Sequence, residues 1–381
     1  MLTATAVACA LHAHRNPPSF NDSQPAYART TPFMNAPQHR SPAPETLWYA
    51  RGPVPTPLGI AAQQGWLNQA FSQFGTEAHA LSESGDPAVR QSFYDHTQPN
   101  SVRQSGSIAA LWAHARGSDT RLIGLTWTDE YQAVIALPES GIRTVSDLRG
   151  RRIGLPRHVE RTVDIFRISA LRGCLNALAT EAIAESEVEW ADIDVRAPDS
   201  PTLHEPHPYT AEARALLRGE VDAIFVKGSQ GAEVSHWLAA HTVIDIGRHP
   251  DPALRCNNGT PRTLTVDAAL LDNYPQLVER VLREVQRAAQ WAENNPLLTR
   301  QFIARETRSS EYWAAHAYGE DVHRHMHTTL EPVYVDALQR YADFLSARGF
   351  IARAVDVRGW ISDAPLAALR ASAPQGASYA R

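Results

Sequence analysis

From Glu45 onward the chain alternates short apolar runs with longer segments whose apolar residues recur at helical spacing. TLWYA reads as a strand, GPVPTPLG as a loop punctuated by Pro and Gly, and IAAQQGWLNQAF as an amphipathic helix. The order then repeats. AHALSES reads as a strand, a loop runs through Asn100, SIAALWAHARG is a helix ended by Gly117, and RLIGLTWT is the next strand. In TVSDLRGRRIGLP, Ser146 is placed to cap a short helix, Gly150 to end it, and RRIGL opens a new strand. DIFRISALRGCLNALATEAI and TAEARALLRG predict helices around the strand IDVRA; VDAIFV follows as a strand, and HTVIDIG is expected as a return strand. Residues 258–381 read as mostly helical, with long amphipathic helices in DAALLDNYPQLVERVLREVQRAAQWAENNP and VYVDALQRYADFLSARGF. Strands alternating with helices predict an α/β fold with mainly parallel sheets covered on both faces.

This order implies a chain that leaves one domain, builds a second and crosses back. Residues 44–138 with 248–381 are expected to form one lobe, and residues 139–247 the other. A ligand cleft then lies between the lobes, lined by the loops after TLWYA, AHALSES and VDAIFV, because ligands in open α/β sheets bind outside the carboxyl ends of the strands. Residues 1–43, rich in His, Pro and Asn, are expected to be a disordered tail. Within it LTATAVACALHA is short and lacks preceding basic residues, a poor secretory signal. The expected location is cytoplasmic, with a periplasmic one as the alternative if that segment is a truncated signal.

A chain of 381 residues, 43% of them hydrophobic, suffices for two domains with separate cores. The formal charge of −5, with Arg and Asp/Glu interspersed, gives no basic face for nucleic acid and no polybasic membrane patch. No run of 18 apolar residues predicts a membrane span. The expected partner is a small molecule. Cys9, Cys174 and Cys256 are too few and too scattered for a disulfide framework or a metal site, which fits a reducing compartment; no metal or cofactor is called for. Of the 36 basic residues only Lys227 is a lysine. An ammonium is a compact, movable charge where guanidinium is a rigid fork, so a single lysine after the apolar strand VDAIFV is a candidate for local chemistry as well as an ordinary surface residue.

GPVPTPLG, the segment from Tyr94 to Gly106 ending QPNSVRQSG, DLRGRRIG, GEVDA and the helix start at Pro275 together resemble a known group. They are similar to the type II periplasmic-binding-protein fold, to its sulfonate, nitrate and taurine binding proteins, and within it to the 2′-hydroxybiphenyl-2-sulfinate desulfinase family, from about Tyr49 to Trp360. The resemblance implies two lobes closing on a small organic anion and, for an exported member, an ABC transporter permease as partner. In the desulfinases a cysteine just before the PVP triplet cleaves the carbon–sulfur bond, an arginine and backbone amides hold the sulfinate, and a histidine assists. Here Gly52 stands at the cysteine position and supplies neither nucleophile nor proton. The arginine maps onto Arg103 and the glycine after it onto Gly106; the histidine column falls near Gln91, with His96 in a local insertion.

On the residues themselves, Arg103 with the amides of Ser105, Gly106 and the following helix start can grip a sulfinate, sulfonate or carboxylate through charge-assisted hydrogen bonds and a helix dipole. Gly52 lets backbone amides approach an oxyanion. His96 is a candidate general base or ligand clamp, or a polar loop residue. Lys227, with Arg103 on the opposite wall, would place two cations that an anion could bridge. His323, His325 and His327 share a face only if extended, and on a helix they form a solvated face. Cys256 is more readily a buried thiol than a relocated nucleophile. Trp48, Tyr49, Trp127 and Tyr131 could wall an aryl substrate or pack in the core. Two functions from different classes follow: a desulfinase-type hydrolase with a changed catalytic group, using Lys227 or His96 with Arg103, and a non-catalytic anion receptor.

Overall fold

The strand-forming segments gather into two sheets. The structure is a computed structural model that describes residues 42–196 and 207–371; the tail expected over 1–43 falls, but for its last two residues, outside them, as does Cys9. The strands in chain order are β1 (Thr46–Arg51), β2 (Glu77–Ala80), β3 (Ser101–Gly106), β4 (Thr120–Thr126), β5 (Gln132–Ala136), β6 (Arg152–His158), β7 (Glu189–Val195), β8 (Ala223–Lys227), β9 (His241–Asp245), β10 (Arg262–Asp267) and β11 (Thr328–Thr329). The first sheet has the order β11-β4-β10-β3-β1-β2 and the second β7-β6-β8-β5-β9.

The sheets are mixed rather than mainly parallel. β1 runs parallel to β2 and β3, and β6 parallel to β7 and β8, as strand–helix–strand units require. β10, however, is antiparallel to both β3 and β4, and β5 antiparallel to both β8 and β9. These two strands follow the two passages of the chain between the sheets.

The passages also move the expected lobe boundaries. Gln132–Ala136, assigned above to the first lobe, belongs to the second sheet, so the first crossing is residues 127–131 and not residue 138. TWTDEYQ carries no Gly or Pro to mark the crossing. HTVIDIG forms β9, an edge strand of the second sheet; the strand that returns to the first is β10, after residues 246–261.

Helices cover the sheets largely where periodicity placed them. IAAQQGWLNQAF is two helices, α1 (Pro57–Gln63) and α2 (Trp66–Ser72), divided at Gly65, whose φ of 72° suits glycine. Thr56 caps α1, its hydroxyl accepting from the Gly59 N–H at 3.0 Å. α3 (Pro87–Asp95), α4 (Ser107–Ala115), α5 (Ile165–Ala179), α6 (Thr210–Leu217) and α7 (Gly228–Trp237) follow. The short helix before Gly150 is a 3-10 turn over Val145–Leu148, capped by Thr144 and not by Ser146; Asp147 reciprocates by accepting from the Thr144 N–H at 2.8 Å. The helix Pro275–Asn294 lays Val281, Leu282 and Val285, each 0–1% exposed, into the core beneath the first sheet, a burial worth about 1.5–3 kcal/mol per side chain. On the opposite face Pro332–Ala347 packs Val335, Leu338 and Tyr341 against Ile108, Leu111 and Leu122.

Candidate functional site

The carboxyl ends of β1 and β3 lie side by side because Arg51 pairs with Gln104 in the ladder, which sets Gly52 beside Ser105. The Gly52 N–H donates to the Gln104 carbonyl at 3.3 Å. A Cβ on Gly52 would stand 2.9 Å from the Ser105 Cβ, so a side chain there, a cysteine included, needs Ser105 to yield. Gln104 faces the other way and ties the start of α1 to the strand, its Oε1 accepting from the Leu58 N–H at 3.0 Å.

Gly106 ends β3 and precedes α4 without offering a side-chain cap. The cap comes from elsewhere: Asn258, on the second crossing, accepts the Ile108 N–H through its Oδ1 at 3.0 Å. Its carboxamide lies so close to Gly106 that a Cβ would meet its atoms at 2.4–2.7 Å, which is why glycine stands there. Ser107, the first residue of α4, is fully buried and its hydroxyl has no hydrogen-bond partner.

Arg103 leaves β3 on the same face as Ser105, two residues away. It is 2% exposed. Its Nη2 donates to the Ser92 hydroxyl at 3.0 Å and the Gln98 carbonyl at 3.2 Å, while Nε and Nη1 have no acceptor. No described carboxylate forms an ion pair with it, and burial lowers its pKa to about 10 although Asp267 and Asp95 pull the other way. His96 closes α3 with a φ of 55°, is buried, and leaves Nδ1 unpaired. Burial first, then the neighbouring Arg103 and His114, hold its imidazole well below the ordinary range, so it is neutral at pH 7.

Lys227 ends β8. Its Nζ lies 2.7 Å from Glu130 Oε1 and donates to the Asn258 carbonyl. Glu130 is 1% exposed and sits on the first crossing; Arg262, fully buried at the start of β10, approaches its other oxygen at 3.9 Å and donates to the Thr128 carbonyl at 3.0 Å. The space is tight, since a Cβ on Gly259, with φ of 97°, would lie 2.8 Å from Glu130 Oε1. The lysine ammonium is thus already paired with a buried carboxylate and a carbonyl, rather than left free to face Arg103. Glu130, Asn258 and Arg262 belong to no motif in the sequence; an acid between two apolar strands and the Asn-Asn-Gly turn after Cys256 are their only local signals.

The structure therefore brings Gly52, Ser105 and Gly106 together, links Lys227 to them through Asn258, and sets His96 beside Arg103. The other candidates lie apart. His325 pairs with Asp321 at 3.2 Å and His327 with Glu293 at 2.7 Å, on a 3-10 turn and loop rather than a helical face. Cys174 and Cys256 are 0% exposed, burial pushes both thiols up to about 12, and the Cys256 thiol donates to the Ala337 carbonyl at 3.2 Å. Neither described thiol is poised as a nucleophile. Trp127 stacks on Tyr334 at 4.9 Å and the Tyr131 hydroxyl meets Ser235 and Thr242 at 3.2 and 3.1 Å, while Trp48 and Tyr49 leave β1 on opposite faces, so the four aromatics form no single wall. No described helix is long and apolar enough to cross a membrane.

No family model matches the chain. It is 24% identical over 347 residues to the 2′-hydroxybiphenyl-2-sulfinate desulfinase of Rhodococcus erythropolis, covering 83% of this chain and 91% of that protein. Among solved structures, a Cys-to-Ser mutant of DszB in complex with biphenyl-2-sulfinic acid superposes with a TM-score of 0.70 at 23% identity, over 86% of this chain and 99% of that one. The alkanesulfonate-binding protein SsuA from Xanthomonas axonopodis pv. citri, bound to MOPS, superposes with a TM-score of 0.60 at 18% identity, over 84% and 98%. The chain has the two-lobed α/β fold of the type II periplasmic binding proteins and resembles both groups.

Proposed function

We propose that this chain binds a small or aryl organic anion, a sulfinate, sulfonate or carboxylate, between its two lobes, as a desulfinase-like protein of organosulfur metabolism. One observation carries the reading: Arg103 is a buried guanidinium with no ion-pair partner among the described residues and two of its nitrogens, Nε and Nη1, unbonded. An uncompensated buried charge costs several kcal/mol, and an anion offers both the counter-charge and the missing acceptors. Ser105, on the same face of β3 as Arg103, with Gly52 beside it at the end of β1 and the start of α4 after it, frames the rest of that seat. His96 beside it is a neutral imidazole with a free Nδ1, fit to hydrogen-bond the ligand or take a proton. Lys227 is engaged by Glu130 and Asn258 and serves the site from behind rather than as a reacting group.

The thiol chemistry of the desulfinases has no counterpart among the described residues. Gly52 carries no thiol and sits too close to Ser105 to take a side chain unless Ser105 shifts, and the two described cysteines are buried and protonated. That favours a second reading, a non-catalytic binding protein. A cytoplasmic sensor or enzyme needs no transporter, whereas an exported receptor needs an ABC permease.

Isothermal titration with biphenyl-2-sulfinate, MOPS and benzoate, alongside a sulfite-release assay, tests these statements. Binding of at least one anion that Arg103→Met abolishes is expected, with no sulfite released from the sulfinate. Equal binding by parent and Arg103→Met, or none by the parent, would sink the reading. Sulfite release would reject the non-catalytic version alone.

A further inference from the structure

The start of α4 is capped by a residue of the second crossing, 150 positions later in the chain. Asn258 accepts the Ile108 N–H with Oδ1, lies flush on Gly106, and is itself held from below: its carbonyl receives the Lys227 ammonium, and its N–H bonds the Asn257 Oδ1 at 2.7 Å. The turn is pinned further by the Asn257 Nδ2 donating to the Ser169 carbonyl at 3.0 Å. The backbone of Asn258 is therefore fixed, whereas its half-buried side chain can turn about its own torsions. The Oδ1 presents a neutral acceptor to a helix N-terminus of nine residues, where partial positive charge favours an anion. The hydroxyl of Ser107, the first residue of α4, is fully buried and lacks a partner at this place, and Arg103, two residues before Ser105 on the same face of β3, has unbonded N–H groups of its own.

We infer that Asn258 is the residue that sets ligand affinity, its carboxamide occupying the position that the ligand's anionic head takes at the start of α4 and competing with it. This rests on the reading that the anion seats at Gly52, Ser105 and Gly106. Lys227 is then a positioning residue, holding the Asn258 backbone so that only the side chain moves, which assigns the single lysine a role distinct from contact with the ligand.

The competition gives opposite signs to two substitutions. Asn258→Ala removes the competitor, so the affinity for biphenyl-2-sulfinate rises about fivefold, the factor that the loss of a typical cap represents, while the melting temperature of the empty protein falls. Asn258→Asp keeps the shape and installs a resident carboxylate, so affinity falls at least about tenfold while the melting temperature of the empty protein rises. A cap with only a structural role would move the melting temperatures and leave the dissociation constants alone. Titration calorimetry with biphenyl-2-sulfinate, MOPS and benzoate, paired with melting curves, reads both quantities. Should Asn258→Ala prove unstable, Asn258→Ser is expected to bind more tightly than the parent and supplies the same comparison with Asn258→Asp. Weaker or unchanged binding by Asn258→Ala, or undiminished binding by Asn258→Asp, overturns the inference. If the parent binds an anion through Arg103 and Asn258→Ala binds it equally, only this inference falls; if no variant binds any probe, the reading of function falls with it.

Discussion

Replacing Arg103 by methionine separates a ligand-binding charge from a structural one, because the two roles predict different stabilities. Burial lowers the guanidinium pKa from 12.5 to about 10 in a group almost wholly removed from water, which amounts to roughly 3 kcal/mol against the charged form. The favourable side is two hydrogen bonds, and both acceptors keep other donors when Arg103 is removed: the Ser92 hydroxyl still receives the Gln98 N–H at 2.7 Å, and the Gln98 carbonyl the Ser101 hydroxyl at 2.5 Å. Arg103→Met therefore strands no partner and deletes an uncompensated charge. Its unfolding free energy in urea should equal that of the empty parent or exceed it by up to about 3 kcal/mol, where breaking a buried ion pair would have cost about 3–5 kcal/mol. The ligand response should move the other way. An anion at one hundred times its dissociation constant adds about 2.7 kcal/mol to the parent and nothing to the variant. A variant several kcal/mol less stable than the parent that still gains the full ligand increment would refute the reasoning.

Gly52→Cys should not restore a desulfinase site; overpacking against Ser105 is expected to cost about 1–3 kcal/mol in urea unfolding, with Ser105→Gly in the same chain recovering most of it. Failure of Ser105→Gly to rescue would place the strain elsewhere. Glu130→Gln leaves the Lys227 and Arg262 charges without their shared acid and should lower stability by about 3–5 kcal/mol, an effect that a merely exposed pair would not produce. Glu212, 1% exposed on α6, has its pKa raised by burial from 4.5 to about 7. A carboxyl raised in the folded state contributes its stability below the unfolded pKa and loses it as pH rises through the folded one, so between pH 4.5 and 7 the parent should lose roughly 3 kcal/mol from this group. Glu212→Gln should flatten that fall, and an unchanged pH profile would exclude Glu212 as its cause.

The order of strands and helices was legible because periodicity of 2 and of 3.6 is local. What the sequence hid is mostly non-local. β5 reads the same whether it closes the first sheet or opens the second, and no breaker marks Trp127–Tyr131 as a crossing. Ser146 and Thr144 are both competent caps, and only the return bond from Asp147 selects Thr144. In the site, Gly52, Ser105 and Gly106 could be found because loops after strands carry ligands in this fold class. Glu130, Lys227, Asn258 and Arg262 are scattered along the chain, and their cluster exists only once both crossings are laid side by side. Lys227 was noticed for its rarity; its partner, which fixes its role, had no local signature.

The central place of β10 also dictates an order of assembly. Every strand of the second sheet lies within residues 132–245, so that sheet can close as soon as its own segment has been made. The first sheet cannot. β3 and β4 flank β10 and do not touch as neighbours, so until residues 262–267 arrive the sheet is a three-stranded β3-β1-β2 piece with a raw edge and a lone β4. Joining Arg262 to Gly106 closes a loop of roughly 150 residues, an entropic cost of about 4–5 kcal/mol if that chain is unfolded and much less if the second lobe has already shortened it. During synthesis the inserted lobe is thus the scaffold on which the outer one is completed. A truncation just before Arg262 should leave a folded second lobe attached to an aggregation-prone first.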